Sequence, residues 1–140
     1  MDAIREEIIK VARSVIGTPY VHQGRVKGVG VDCVGLILIV ARELNFTDFE
    51  ISGYGRRSEG VEMFTELKKQ CGDPVKNPLP GDILMFAEGD WRHCGILSEK
   101  DGFDTIIHTH RASRKCVEHS LDNYWETLIF AAFRFPTIEK

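Results

Sequence analysis

The sequence predicts an α+β fold in which helices come first and an antiparallel sheet follows, covered on one side by those helices. Two features predict it. Up to about residue 70 apolar residues recur at helical spacing, and beyond Pro80 they fall into short β-rich runs divided by turn residues. Helices that precede strands, rather than alternate with them, form a layer against an antiparallel sheet. The chain has 140 residues and no internal repeat, low-complexity tract or linker. One domain over 1–140, long enough for a real core, is the expectation.

In order, Ile4, Ile8, Val11, Ala12 and Val15 share one face of a helix over 2–16, which Gly17 and Pro19 end. The glycine-rich stretch 17–32 is expected to be a loop. Cys33 to about Leu44 is a second helix, and its first half is apolar on nearly every side, which makes it the central buried helix. Residues 45–59 look irregular. A third helix runs from about Val61 to Gln70, with Met63, Phe64 and Leu67 on one face, and ends near Gly72. Strands are expected at 82–86, 93–97, 103–108 and 127–133, with another at 115–119; Glu88-Gly89-Asp90 and Asp101-Gly102 supply turns.

Composition narrows the function. Eighteen basic residues stand against 21 acidic ones, for a net charge of −3. That is no electrostatic footprint for nucleic acid or an anionic membrane surface. The longest apolar run, Val34 to Ala41, is too short to span a bilayer, so no membrane insertion is expected. The N-terminus is charged and amphipathic, without an apolar signal region, so the chain is expected to be made in the cytoplasm and not exported by itself. The four cysteines, Cys33, Cys71, Cys94 and Cys116, include no C-x-x-C pair. Reduced thiols are the expectation, and no cofactor motif is present.

The chemistry centres on Gly28-Val29-Gly30-Val31-Asp32-Cys33, where a glycine loop delivers a thiol to a helix start. Partial positive charge and free N–H groups there favour thiolate, the nucleophilic form. A small buried core residue is the competing reading of Cys33, and from these features alone both stand. A thiol nucleophile needs a base, and the base needs an orienter. Of the five histidines, His93 opens an expected strand and His108 ends another, so both sit at sheet rims where they can face a helix end. His108 and His110 share a strand face, and His119 or Cys116 could complete a zinc set with them, a weaker reading because no third ligand has a recognisable spacing. His110 is otherwise a substrate-facing residue or a support for His108. Tyr20 packs on the core or donates its O–H to an oxyanion beside the thiol. Asp32 is expected to cap the helix and to oppose the thiolate slightly. Arg25, Lys27, Arg56 and Arg57 lie in loops; solvated surface is their default, and Arg25 is the candidate for a substrate carboxylate.

Together these blocks resemble the NlpC and p-sixty cell-wall cysteine peptidases, which are papain-like. Gly17-Thr18-Pro19-Tyr20 is similar to that family's Gly-x-Pro-Tyr, and Asp32-Cys33-Val34-Gly35-Leu36 to its nucleophile block. Pro80-Gly81-Asp82-Ile83-Leu84 is similar to its Pro-Gly-Asp-Leu, His93-Cys94-Gly95-Ile96 to its base block, and Ile107-His108 to the block of its third polar residue. The resemblance covers roughly residues 5 to 135. It implies an endopeptidase of peptidoglycan stem peptides, cutting next to γ-D-glutamyl, with Cys33 as nucleophile, His93 as base, His108 as orienter and Tyr20 beside the thiol. The string from Gly17 to Arg25 is most similar to the branch encoded with phage tails and gene-transfer particles. That implies tail-tip proteins as partners and delivery to the wall by the virion. Another thiol amidase or acyltransferase, or a non-catalytic tail-tip adaptor, are the alternatives. Val34 and Cys94 depart from the usual serine and valine and are read as small changes that leave the triad untouched. His22 and Gln23 replace an aromatic and a glycine, which bears on substrate recognition.

Overall fold

A computed structural model describes residues 2–46 and 60–136. Helix α1 (Ala3–Val15) starts where the Asp2 carboxylate accepts from the Arg5 amide at 3.0 Å, and Ile8, Ile9, Ala12 and Val15 form its buried face. The stretch 17–32 is more ordered than a loop. β1 (Arg25–Val26) and β2 (Gly30–Val31) pair as a short antiparallel ribbon, turned at Gly28 with φ 83°. Bridges from Pro19 to Lys115 and from Tyr20 to Val31 tie this segment down. Helix α2 (Cys33–Glu43) buries every residue from Cys33 to Ala41, as a helix with no polar face must. Helix α3 (Gly60–Cys71) adds Met63 and Leu67 to the same core, with Phe64 edge-on to Phe133. Beyond Phe46, the stretch expected to be irregular lies outside the described residues, as do Arg56 and Arg57.

The sheet consists of β3 (Ile83–Glu88), β4 (Trp91–Lys100), β5 (Phe103–Thr109), β6 (Cys116–Ser120) and β7 (Ile129–Phe133), antiparallel throughout in the order β6-β5-β4-β3-β7. One expected boundary is wrong. Thr127 and Leu128 belong not to the last strand but to α4 (Asn123–Leu128), which the Asp122 carboxylate caps by accepting from the Trp125 amide at 3.1 Å. The cap and the packing of Trp125 and Leu128 on the sheet override the β-rich composition of that run.

Alternation along the strands divides the core in two. Ile83, Met85, Cys94, Ile96, Ile107, Cys116 and Phe133 meet the three long helices. Leu84, Phe86, Leu97 and Ile106 face the other way, under Trp91, Trp125 and Leu128. Pairing between β4 and β5 runs from Lys100–Phe103 to Ile96–Ile107 and stops there. The end of the sheet that carries His93 and His108 is therefore unpaired between those two strands, and α2 packs against both of them.

A buried ion cluster joins the two ends of the chain. Asp82 is fully enclosed, accepts from Arg5 at 3.0 Å and Arg134 at 2.9 Å, and takes the Leu79 amide at 2.8 Å. Removing the carboxylate strands two guanidinium groups, one of them buried in α1. Asp82→Ala is expected to lower the unfolding free energy by about 3–5 kcal/mol in urea titrations; a loss below about 1 kcal/mol would show that the cluster does not join the chain ends.

Candidate active site

Cys33 is the first residue of α2. Asp32 caps the helix, with one carboxylate oxygen accepting from the Gly35 amide at 2.8 Å and the other from the Gln23 amide at 2.7 Å. Asp32 is buried beneath the thiol, the capping position the sequence suggests, and it fastens the preceding loop to the helix. Gly35 explains the glycine of the nucleophile block. A Cβ there would run into the Gly24 carbonyl oxygen and come within 2.9 Å of Val31, so only glycine lets loop and helix close up. Gly95 does the same for the base block, since its Cβ would lie 2.9 Å from His108 Cβ and 2.8 Å from Ile106.

Cys33, His93 and His108 come together. The Cys33 thiol hydrogen-bonds His93 and Cys94. His93 Nε2 lies 2.7 Å from His108 Nδ1, so the His93 nitrogen left for sulfur is Nδ1. His93 is buried, stacked on Trp91 with centroids 5.0 Å apart and planes 15° apart. Cys94 turns to the helix side of β4 and sits against the thiol. Its position is a correction: the change to Cys94 does not leave the triad untouched, because its S–H hydrogen-bonds Cys33.

Electrostatics favour a thiolate at this place. The Cys94 hydrogen bond holds the Cys33 thiol well below its ordinary range, burial opposes, and the hydrogen bond and charge of His93 add to the lowering. Asp32 opposes weakly, as the sequence suggests. The same hydrogen bond and burial push Cys94 well up, so Cys94 remains the protonated donor. Burial, then the neighbouring imidazoles of His93, His110 and His119, drives His108 far below the usual histidine range, so His108 is neutral. His110 falls to about 4 for the same reasons, burial first. A nucleophile, an imidazole in contact with it and a neutral imidazole behind can carry thiol acyl transfer.

Two clefts are present, the first against the Trp91 and His110 rings that contact His93. One, about 450 Å³, is lined by Glu88, Trp91, His110, Ala112, Tyr124 and Trp125. The other, about 630 Å³, is lined by Tyr20, Arg111, Ala112 and Arg114. They share Ala112, whose amide donates to His110 Nδ1 at 3.1 Å. Tyr20 and His110 thus line clefts, whereas Arg25 donates to the Gln23 carbonyl at 2.7 Å and Lys27 pairs with Glu43 at 3.2 Å. The zinc reading finds poor geometry. Both His108 nitrogens are engaged by other rings, and Cys116 lies in the helix-side core, on the opposite face of β6 from His119, with burial raising its thiol to about 11. Among the described residues no group of three or more His, Cys, Asp and Glu is arranged to hold a metal ion.

Sequence reasoning missed the Trp91 and Trp125 wall and the place of His119 against His108. His119 was visible only as a zinc candidate, because its place against His108 depends on the β5–β6 register.

The NlpC/P60 family model matches residues 17–134, a span that holds the thiol, its imidazoles and both clefts. The chain belongs to the NlpC/P60 family. Members of that family are cysteine peptidases that hydrolyse peptidoglycan. The chain is 25% identical over 136 residues to a gamma-DL-glutamyl hydrolase of Bacillus subtilis strain 168, covering 94% of this chain but 29% of that protein. Among solved structures, the NlpC/p60 domain of the peptidoglycan hydrolase SagA superposes with TM-score 0.64 at 21% identity, over 92% of this chain and 97% of that one. An NlpC/P60 protein of Bacillus cereus ATCC 10987 gives TM-score 0.67 at 22% identity, over 94% of this chain and 40% of that one. The helix-on-antiparallel-sheet architecture is the papain-like fold of these domains.

Within this NlpC/P60 site, the Cys94 donor generates a test. Cys94→Val removes a hydrogen bond to a charged acceptor worth about 1.5–3 kcal/mol, which should raise the Cys33 pKa by about 1–2. The iodoacetamide alkylation profile of Cys33 should move to higher pH; an unmoved profile would show that Cys94 does not stabilise the thiolate.

Proposed function

We propose that this protein is a cysteine endopeptidase that hydrolyses peptidoglycan stem peptides next to a γ-glutamyl residue. The observation that carries it is the placement of Cys33 at the start of α2 against His93, whose Nε2 lies 2.7 Å from His108 Nδ1. His93 takes the thiol proton on Nδ1, and sulfur attacks the amide carbonyl. The oxyanion forms beside the Cys33 backbone N–H at the helix start, with Tyr20 as a further donor. His93 returns the proton to the leaving amine, and water then releases the acyl group from sulfur. Asp32 caps the helix below and His110 borders the substrate.

Two facts support the γ-glutamyl substrate. The curated relative is named for a γ-glutamyl bond. A γ-linked glutamyl unit also keeps its α-carboxylate free, and Arg111 and Arg114 border the cleft beside Tyr20 with guanidinium groups that suit it. Delivery by a phage tail tip belongs to the same proposal and is supported by the string Gly17 to Arg25; proteomics of purified particles that lacked the chain would sink it. A tail-tip adaptor without turnover would have no use for the acidified thiol.

The direct test is incubation with defined muropeptides and mass analysis of the products. Cleavage after a γ-glutamyl residue is expected, and Cys33→Ala should reduce it at least about 10⁴-fold while circular dichroism stays unchanged. Products from the sugar–peptide bond would identify an amidase instead, and undiminished turnover by Cys33→Ala would remove the peptidase reading.

A further inference from the structure

The imidazole chain behind His93 is one ring longer than a base and one orienter require. His108 Nε2 lies 2.7 Å from His119 Nε2, and His119 Nδ1 lies 2.9 Å from the Ser120 carbonyl oxygen. Successive ring planes cross at 68° and 72°, so the rings meet at their nitrogens rather than face to face. Register explains the placement. β6 sets His119 opposite Ile106 and Val117 opposite His108, which puts His119 diagonal to His108 on one face of the sheet, with Trp125 of α4 over both.

With His119 neutral, the outermost link admits one assignment of hydrogens. A carbonyl oxygen only accepts, so His119 Nδ1 carries a hydrogen. A neutral His119 then offers a lone pair at Nε2, which requires the hydrogen of neutral His108 to sit on Nε2. His108 Nδ1 is left as a bare acceptor, which requires a hydrogen on His93 Nε2. His93 Nδ1 is thereby the lone pair that faces sulfur.

We propose that His119, anchored by the Ser120 carbonyl, is a positioning residue that selects the one His108 tautomer in which His93 can accept the Cys33 proton. The inference rests on the roles given above to Cys33 and His93. In the opposite tautomer His108 Nδ1–H donates to His93 Nε2, and neutral His93 then carries its hydrogen toward sulfur with nothing to take the thiol proton. In the selected tautomer one proton moves, from Cys33 Sγ to His93 Nδ1. The resulting imidazolium donates to the thiolate on one side and to the His108 lone pair on the other. The groups facing His119 are His108 and His110 from β5 and its exit and Trp125 from α4; Lys100, Asp101 and Glu118 line the cleft at its outer edge. The Glu118 carboxylate is held by Arg13 at 2.9 Å and Thr105 at 2.7 Å.

The test compares His119→Ala with His119→Gln, whose amide oxygen can still accept the His108 Nε2 hydrogen. Three quantities are read: kcat and KM on muropeptides, the pH profile of Cys33 alkylation, and imidazole ¹⁵N shifts, which separate Nδ1–H from Nε2–H. His119→Ala should lower kcat about 10-fold with KM changed less than about two-fold, since a wrong tautomer costs rate and not binding. It should also move the alkylation profile to higher pH and populate Nδ1–H on His108. His119→Gln should restore most of each. An unchanged kcat and alkylation profile in His119→Ala, a glutamine variant as impaired as alanine, or wild-type His108 with its hydrogen on Nδ1 would each overturn the proposal. The last reading uses the wild-type protein alone and does not depend on how the variants fold. The alkylation and ¹⁵N measurements need no substrate, so wild-type protein inert to muropeptides would count against the peptidase reading while still deciding the role of His119.

Discussion

Everything at the site depends on one meeting point, the N-terminus of α2 against the end of β4. A helix apolar on every side has no stable place except inside, so α2 is wedged between α1 and the sheet. Once it is there, its first residue arrives where β4 and β5 have stopped pairing. The thiol meets Cys94 on the helix side of β4 and His93 at the open end. The surrounding devices serve that fit: the Asp32 cap fastens the loop to the helix, and the missing Cβ at Gly35 and at Gly95 each allows one approach that a side chain would block.

The energetics of the thiol are a contest between burial and donors. Enclosure alone raises a thiol pKa, as it does at Cys116. At Cys33 the S–H of Cys94 and the imidazole of His93 outweigh that cost. His108, crowded by other imidazoles and shielded from water, cannot hold a charge and so acts as a neutral hydrogen-bonding partner.

Much of this was legible in the sequence, for reasons that differ by element. The first two helices follow from spacing and hydrophobicity, local properties that burial reinforces. Cys33, His93 and His108, which the structure brings together, could be singled out because their blocks carry local neighbours, glycines above all, whose need the backbone contacts explain. The short α4 was missed because Thr127 and Leu128 run straight into the β-rich segment Ile129–Phe133, and only the Asp122 cap and sheet packing separate them from it. The β1–β2 ribbon was missed because its two-residue strands have no periodicity to detect. Cys94 and His119 were undervalued because their significance is tertiary: one depends on which way β4 turns a side chain, the other on a strand register between β5 and β6.

The most direct measurement is the thiolate absorbance near 240 nm as a function of pH, in wild type, Cys33→Ala and His93→Ala. The structure predicts a step in the mildly acidic range that vanishes without Cys33 and shifts upward without His93. A wild-type step at ordinary thiol pH, or one that the loss of His93 leaves in place, would contradict the pairing of sulfur and imidazole on which the account stands.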